Sequence, residues 1–304
     1  MISRPDVLVL GAGGVLGEAW LMGVLAGVED ATGFDLRECE NFLGTSAGSI
    51  VSAQLVAGER PRRPATVPTE IEEASVQPAE GLAAAALVAA RRAGGFALAA
   101  GASFAPLAVG IAAPGAAALR AVMLRRLPHS GQTLDRLRHQ MERSPARFDG
   151  RLRVAAVDRR TGRRVVFGSP GAPAATVAQA VVASCTVPWM FEPVKIGGRE
   201  YVDGGVWSPT NLDVAPAGRD TVVLCLNPTG NLIGSHGVLQ TIRQVSRSAV
   251  SVEALVLRRR GAQVRMVAPN AEAAAAMGNN FMDREPRDRV LSAGYRQGLA
   301  LARR

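Results

Sequence analysis

Lysine, histidine, cysteine and aromatic residues are all scarce in this chain of 304 residues, and each scarcity excludes something. Lys195 is the only lysine, so the formal net charge of +9 comes almost wholly from arginine. Such a charge favours anionic partners or simply a solvated surface. No basic stretch is interleaved with aromatics, no zinc-finger spacing occurs and no basic region precedes heptads, so nucleic acid is not the expected partner. The three cysteines, Cys39, Cys185 and Cys225, are odd in number and widely spaced, which gives neither a disulfide framework nor a metal pair. Cys39 precedes a strand-like run and Cys225 lies in one, so both read as small core residues, and a reducing cytoplasm fits the set. No metal or cofactor is expected. The apolar run Val7–Leu16 is preceded by Asp6 and followed by Glu18, without a cleavage site set off by a polar region. It reads as a buried strand entering a glycine loop rather than a signal peptide.

What is present is apolar: 48% of the residues, much of it alanine, with 33 glycines besides, which predicts one globular core with closely packed helices. Strands are predicted at Asp6–Leu10 and Asn41–Leu43, each followed by a glycine loop and a helix, over Gly17–Asp30 and onward to Val56. That alternation points to a mostly parallel sheet with helices on its faces. Further strands are expected at Leu152–Val157, Arg164–Phe167, Thr221–Leu226 and Val264–Val267, with a hairpin turn at Thr161-Gly162 and Tyr201-Val202 leading into Asp203. Helices are expected at Pro173–Ser184, Leu239–Arg259 and Asp288–Arg303. Between these parts lies an insert of different character, about 58–150. Gly58–Pro78 is proline-rich and charged, which suits an irregular linker. From Ala93 to Leu119 there is no charge at all. That length would span a bilayer, but prolines and glycines interrupt it, and a surface-seeking lid is preferred to a transmembrane helix. With Arg91, Arg92 and Arg120 on its flanks, the segment is expected to meet an anionic membrane surface peripherally. The whole chain is read as a single domain, 1–304, carrying this insert.

Three glycine-bearing motifs carry chemistry. Gly44-Thr-Ser46-Ala-Gly48 is a GxSxG pattern between a strand and a helix, where a sharp turn lifts a serine oxygen clear of the sheet. Gly11-Ala-Gly13-Gly14 follows the first strand. A dinucleotide fingerprint is the competing reading there, but Leu16 breaks its GxGxxG spacing, and backbone amides for an oxyanion fit better. Asp203-Gly204-Gly205 would hold a carboxylate in a tight turn. The base for Ser46 is then either Asp203 alone or a histidine; His236, in the loop 234–237, stands in the right chain order for a Ser–Asp–His triad, while His129 and His139 lie in the arginine-rich stretch.

In order and spacing, these three motifs resemble those of the patatin-like phospholipases. The likeness extends to Gly17–Leu25, to Val154–Phe167 and to Ala183-Ser-Cys-Thr-Val-Pro-Trp-Met-Phe-Glu-Pro193, similar to the family's S-x-x-x-P-x-x-F-x-P block. It covers roughly 1–56 and 150–230. The resemblance implies a three-layer α/β/α fold with a mostly parallel sheet, a Ser46–Asp203 dyad without histidine, and an oxyanion loop at Ala12-Gly13-Gly14. It also implies a lipid or phospholipid substrate, cleaved as by a phospholipase A or lysophospholipase. Two departures stand out: Ala12 replaces the loop's usual first glycine, and Leu16 replaces a frequent Arg or Lys. Two other readings remain, a carboxylesterase acting on non-lipid esters through the same site and a membrane-associated interaction protein with a vestigial site.

Overall fold

The structure, a computed structural model, describes residues 2–65, 116–127, 130–231, 250–278 and 280–303. Its centre is strand β1 (Val7–Leu10), every residue of which is buried. A strand covered on both faces has no use for polar alternation, and Val-Leu-Val-Leu is the result. β2 (Asn41–Thr45), β3 (Leu152–Asp158), β7 (Val222–Leu226) and β8 (Gln263–Val267) run parallel with it. β4 (Arg164–Phe167) and β6 (Arg199–Asp203) pair antiparallel with β3, and β5 (Val194–Ile196) antiparallel with β6. The sheet order is β5-β6-β3-β2-β1-β7-β8, with β4 also on β3.

Helices cover both faces. On one, Leu8, Leu10, Phe42, Val154 and Leu224 share a core with α1 (Gly14–Thr32), α2 (Ala47–Val56), α5 (Val177–Cys185) and α8 (Arg287–Arg303). On the other, Val7, Val9, Leu43, Val223 and Cys225 pack against Leu212 and the helical stretch 250–259, here α6. This is the three-layer α/β/α arrangement with a mostly parallel sheet. Cys39 and Cys225 are buried and free, as small core residues should be. The glycine content lets α1 and α8 approach closely: a Cβ on Gly23 would fall 2.2 Å from the Leu291 carbonyl oxygen.

Several element bounds differ from expectation. α1 begins at Gly14 rather than Gly17, because Gly13 caps it and the glycine loop is correspondingly short. α5 begins at Val177 rather than Pro173, where Thr176 and Gln179 form a reciprocal capping box. The three-residue β5 and α7 (Ala271–Met277) carry too little pattern to be read in sequence. Of the insert, residues 66–115 lie outside the described residues, and with them Arg91, Arg92 and most of the uncharged run. Its described end forms α3 (Ala116–Arg126) and α4 (Asp135–Arg143), which anchors in the core through Met141. Arg120 corrects one expectation. It does not face outward toward an anionic interface: it is buried, donates to the Gly162 carbonyl at 2.6 Å and stacks 4.3 Å from the Trp207 ring centroid. Among the described residues, no helix is long and apolar enough to cross a membrane.

Candidate active site

The sheet register brings the serine and the aspartate together. β4 occupies one edge of β3 from Val154 to Val157. β2 and β6 therefore share the other edge. β2 climbs it until Thr45 pairs with Ala155, and β6 descends it until Asp203 pairs with Ala156. The two strands meet head to head, and the residue that follows Thr45 is Ser46. No local sequence pattern dictates this meeting; it follows from two strands ending on successive residues of a third.

Ser46 sits at φ 51° and ψ −121°, a conformation L-residues rarely adopt. Such strain persists only where the surroundings over-determine it, and they do. The Ser46 amide donates to Ser184 Oγ at 2.8 Å, and that hydroxyl donates onward to the Ala155 carbonyl at 2.7 Å. The Ser46 carbonyl accepts from Ser49 Oγ at 2.6 Å. The flanking glycines are required by contact. A Cβ on Gly44 would lie 2.4 Å from Ser49 Cα, and one on Gly48 would lie 1.9 Å from the Leu10 carbonyl oxygen. Both obstacles are backbone, so Gly48→Ala is expected to force α2 off β1. The variant should be insoluble, or melt several degrees below the wild type, since overpacking a core costs about 1–3 kcal/mol or more. A soluble protein melting as the wild type does would contradict the packing described.

Asp203 is fully buried. Its Oδ1 accepts the Gly205 amide at 2.7 Å, while Oδ2 has no partner in hydrogen-bonding geometry among the described residues. Burial pushes its pKa up to about 7, against the opposing pull of the Gly205 amide and the nearby Ser46 hydroxyl. The hydroxyl is therefore close enough to be felt by the carboxylate, yet outside the geometry of a formed hydrogen bond. Catalytic contacts are often this loose before substrate arrives. Gly204 is needed where the chain turns away, since a Cβ there would fall 2.3 Å from the Ala155 carbonyl oxygen.

The glycine loop lies beside Ser46, because Leu10 pairs with Gly44 and the two chains continue in step. The Ala12 amide donates to the Pro209 carbonyl at 2.8 Å and is occupied. Neither the Gly13 nor the Gly14 amide has a hydrogen-bond partner among the described residues. A Cβ on Gly13 would meet Pro228 at 2.6 Å, and Gly14 has φ 58°. An alanine at position 12 is thus harmless to the two amides that remain available. His139 is exposed on α4, with Nδ1 2.7 Å from the Asp135 carbonyl oxygen. His129 and His236 lie outside the described residues. No group of ligands that could hold a metal ion occurs among the described residues.

Three polar residues around this site went unnoticed in the sequence: Ser184, Asn211 and Glu253. Ser184 lies where the sequence reads as a helix end and as part of a family block. Burial, and then the charge of Asp213, hold Glu253 well above the ordinary carboxylate range. Its Oε2 accepts the Thr210 hydroxyl and the Leu212 amide, each at 2.9 Å.

Residues 8–216 match the family described as patatin-like phospholipase. No curated protein matches the chain. Among solved structures, VipD from Legionella pneumophila is similar at 13% identity with a TM-score of 0.45, over 99% of this chain and 67% of that one.

Proposed function

The chain belongs to the patatin-like phospholipase family, a family of lipid acyl hydrolases, and on that premise we propose that it cleaves fatty-acyl esters of phospholipids or lysophospholipids through a Ser46–Asp203 dyad. One observation carries the reading: β2 and β6 end head to head on β3, which brings a serine at a strained turn close to a buried carboxylate with a raised pKa. A free carboxylate with a pKa of about 3.9 is a weak base for a hydroxyl. One titrating near 7 is matched to proton transfer at neutral pH.

In the first half-reaction, Ser46 Oγ attacks the ester carbonyl while its proton passes to Asp203 Oδ2. The negative oxygen that develops is received by the Gly13 and Gly14 amides. Asp203 returns the proton to the leaving alcohol as the carbonyl–oxygen bond breaks, and an acyl-Ser46 ester remains. Water then attacks that ester, Asp203 takes its proton, and the fatty acid leaves as Ser46 is regenerated. The test is release of fatty acid from phosphatidylcholine and lysophosphatidylcholine vesicles, with a short soluble ester alongside. Release from lipid is expected. Turnover of the soluble ester alone would move the reading to a non-lipid carboxylesterase, and turnover of neither to a vestigial site.

Peripheral contact with an anionic membrane forms part of the proposal, with α3 as the contact. Arg120 turns inward, but Leu119 and Val122, 58% and 38% exposed, turn outward beside the exposed Arg125 and Arg126. Apolar side chains beside basic ones suit an anionic interface, at about 1 kcal/mol per well-placed cation. Arg125→Glu with Arg126→Glu is expected to weaken binding to phosphatidylglycerol-containing vesicles by about tenfold or more, in a cosedimentation assay. Hydrolysis of the soluble ester should stay as it was. Unchanged vesicle binding would remove α3 from the interface.

A further inference from the structure

Asn211 is fully buried and left-handed, at φ 52°. Its Nδ2 donates to Thr45 Oγ1 at 3.1 Å, to the Gly204 carbonyl at 3.3 Å and to the Ser208 carbonyl at 2.9 Å. Thr45 is the residue before Ser46, and Gly204 is the residue after Asp203. A single amide group therefore bridges the two strand ends whose meeting forms the site. The other end of the side chain is also held: Oδ1 accepts from Arg164 Nη1 at 3.3 Å, and Arg164 is paired with Asp213 at 2.6 Å.

The backbone around Asn211 is clamped on both sides. Glu253 takes the Thr210 hydroxyl and the Leu212 amide. Ser208 Oγ takes the Thr210 amide at 3.3 Å and the Asn211 amide at 3.1 Å. The conformation of a non-glycine residue at positive φ is thus fixed by Glu253 from the helix α6 and by Ser208 nearby in the chain. A side chain so held has little freedom to follow if either strand end drifts.

We propose that Asn211 is a positioning residue of the Ser46–Asp203 pair, setting the separation of nucleophile and base by tying the end of β2 to the end of β6. The inference rests on the dyad reading above. In a triad the base is oriented by a third group. Here the fixed hydrogen bond to the Asp203 carboxylate among the described residues comes from the Gly205 amide, so its aim depends on where the backbone at Gly204 is held. Misplacement of about 1 Å in such a geometry can cost about 100-fold in rate.

The test compares the wild type, Ser46→Ala, Asn211→Gly, Thr45→Val and the Thr45→Val/Asn211→Gly double variant on a short soluble ester, with melting temperatures recorded. Glycine adopts positive φ without strain, so Asn211→Gly removes the amide while leaving the backbone at ease. Asn211→Gly is expected to lower kcat by about 10- to 100-fold with KM within about threefold. Thr45→Val should lower kcat less, since the Gly204 contact survives. The double variant should be no worse than Asn211→Gly by more than about threefold, because the second change removes a partner already lost. A purely structural role would scale activity with the folded fraction and give independent, multiplying losses. A folded Asn211→Gly variant with wild-type kcat, or multiplying losses in the double variant, overturns the inference. Should Asn211→Gly fail to fold, wild-type kcat in Thr45→Val overturns it. A wild type no faster than Ser46→Ala overturns the dyad reading itself, and this inference with it.

Discussion

Ser46→Ala should release fatty acid at least about three orders of magnitude more slowly than the wild type, with the fold retained. Removing a nucleophile typically costs that much or more, the remainder coming from bound substrate and oxyanion contacts. The fold should survive because the elbow is held by backbone groups, the Ser46 amide on Ser184 and the Ser46 carbonyl on Ser49. Alanine retains the Cβ and the same tolerance of the strained turn. Fatty-acid release per folded protein, checked against the circular-dichroism spectrum, reads the result. A folded variant turning over at the wild-type rate would remove Ser46 from the chemistry.

Asp203→Asn should be nearly as inactive, and it should also be more stable in alkali. The amide has the shape of the carboxylate and keeps an oxygen for the Gly205 amide, but it cannot take the Ser46 proton. The pH profile of the wild type follows from the same group. Asp203 works as a base only when ionised, so kcat/KM should fall below a pKa of about 7 with the slope of one proton. The stability effect has the opposite sense. The folded pKa of about 7 lies above the ordinary value of 3.8. Below that ordinary value the group's contribution to stability is fully present; it is lost as pH rises through the folded value, because the unfolded chain gives up its proton first. At pH 8 the wild type therefore carries a buried charge that costs on the order of a few kcal/mol, and asparagine removes it. Asp203→Asn is expected to melt several degrees above the wild type at pH 8 and to show no such advantage at pH 4. A variant that melts lower at pH 8, or retains activity, would contradict the assignment of a buried base. Full activity in Asp203→Asn with loss in His236→Ala would replace the dyad with a triad.

The parts of this site that are written locally were legible in the sequence. Val7–Leu10 is apolar because it is buried on both faces, and Gly44 and Gly48 are glycine because backbone lies within 2.4 Å and 1.9 Å of where a Cβ would be. Such residues announce themselves through composition and spacing. What stayed hidden arises from pairing between distant segments. Asn211 and Thr45 stand far apart in the chain, and nothing in Ser208-Pro-Thr-Asn-Leu-Asp213 says that β2 and β6 will share an edge of β3. Glu253 reads as one charge on a helix until its contacts with Thr210 and Leu212 are seen. Arg120 was misread for a related reason. At the end of an uncharged run an arginine looks like a flank, but the helical turn of α3 points it at Trp207, where the ring face accepts a guanidinium. Leu119, the last residue of the uncharged run, is the neighbour that faces out.

The central claim is that Ser46 is a nucleophile activated by Asp203, and covalent labelling tests it most directly. The wild-type protein is treated with a fluorophosphonate at pH 8, its intact mass is measured, and the modified peptide is mapped. The account predicts one adduct per chain, on Ser46, with labelling that slows below pH 7, is absent in Ser46→Ala and is greatly slowed in Asp203→Asn. No adduct on the folded wild type, or an adduct on another residue, would contradict it.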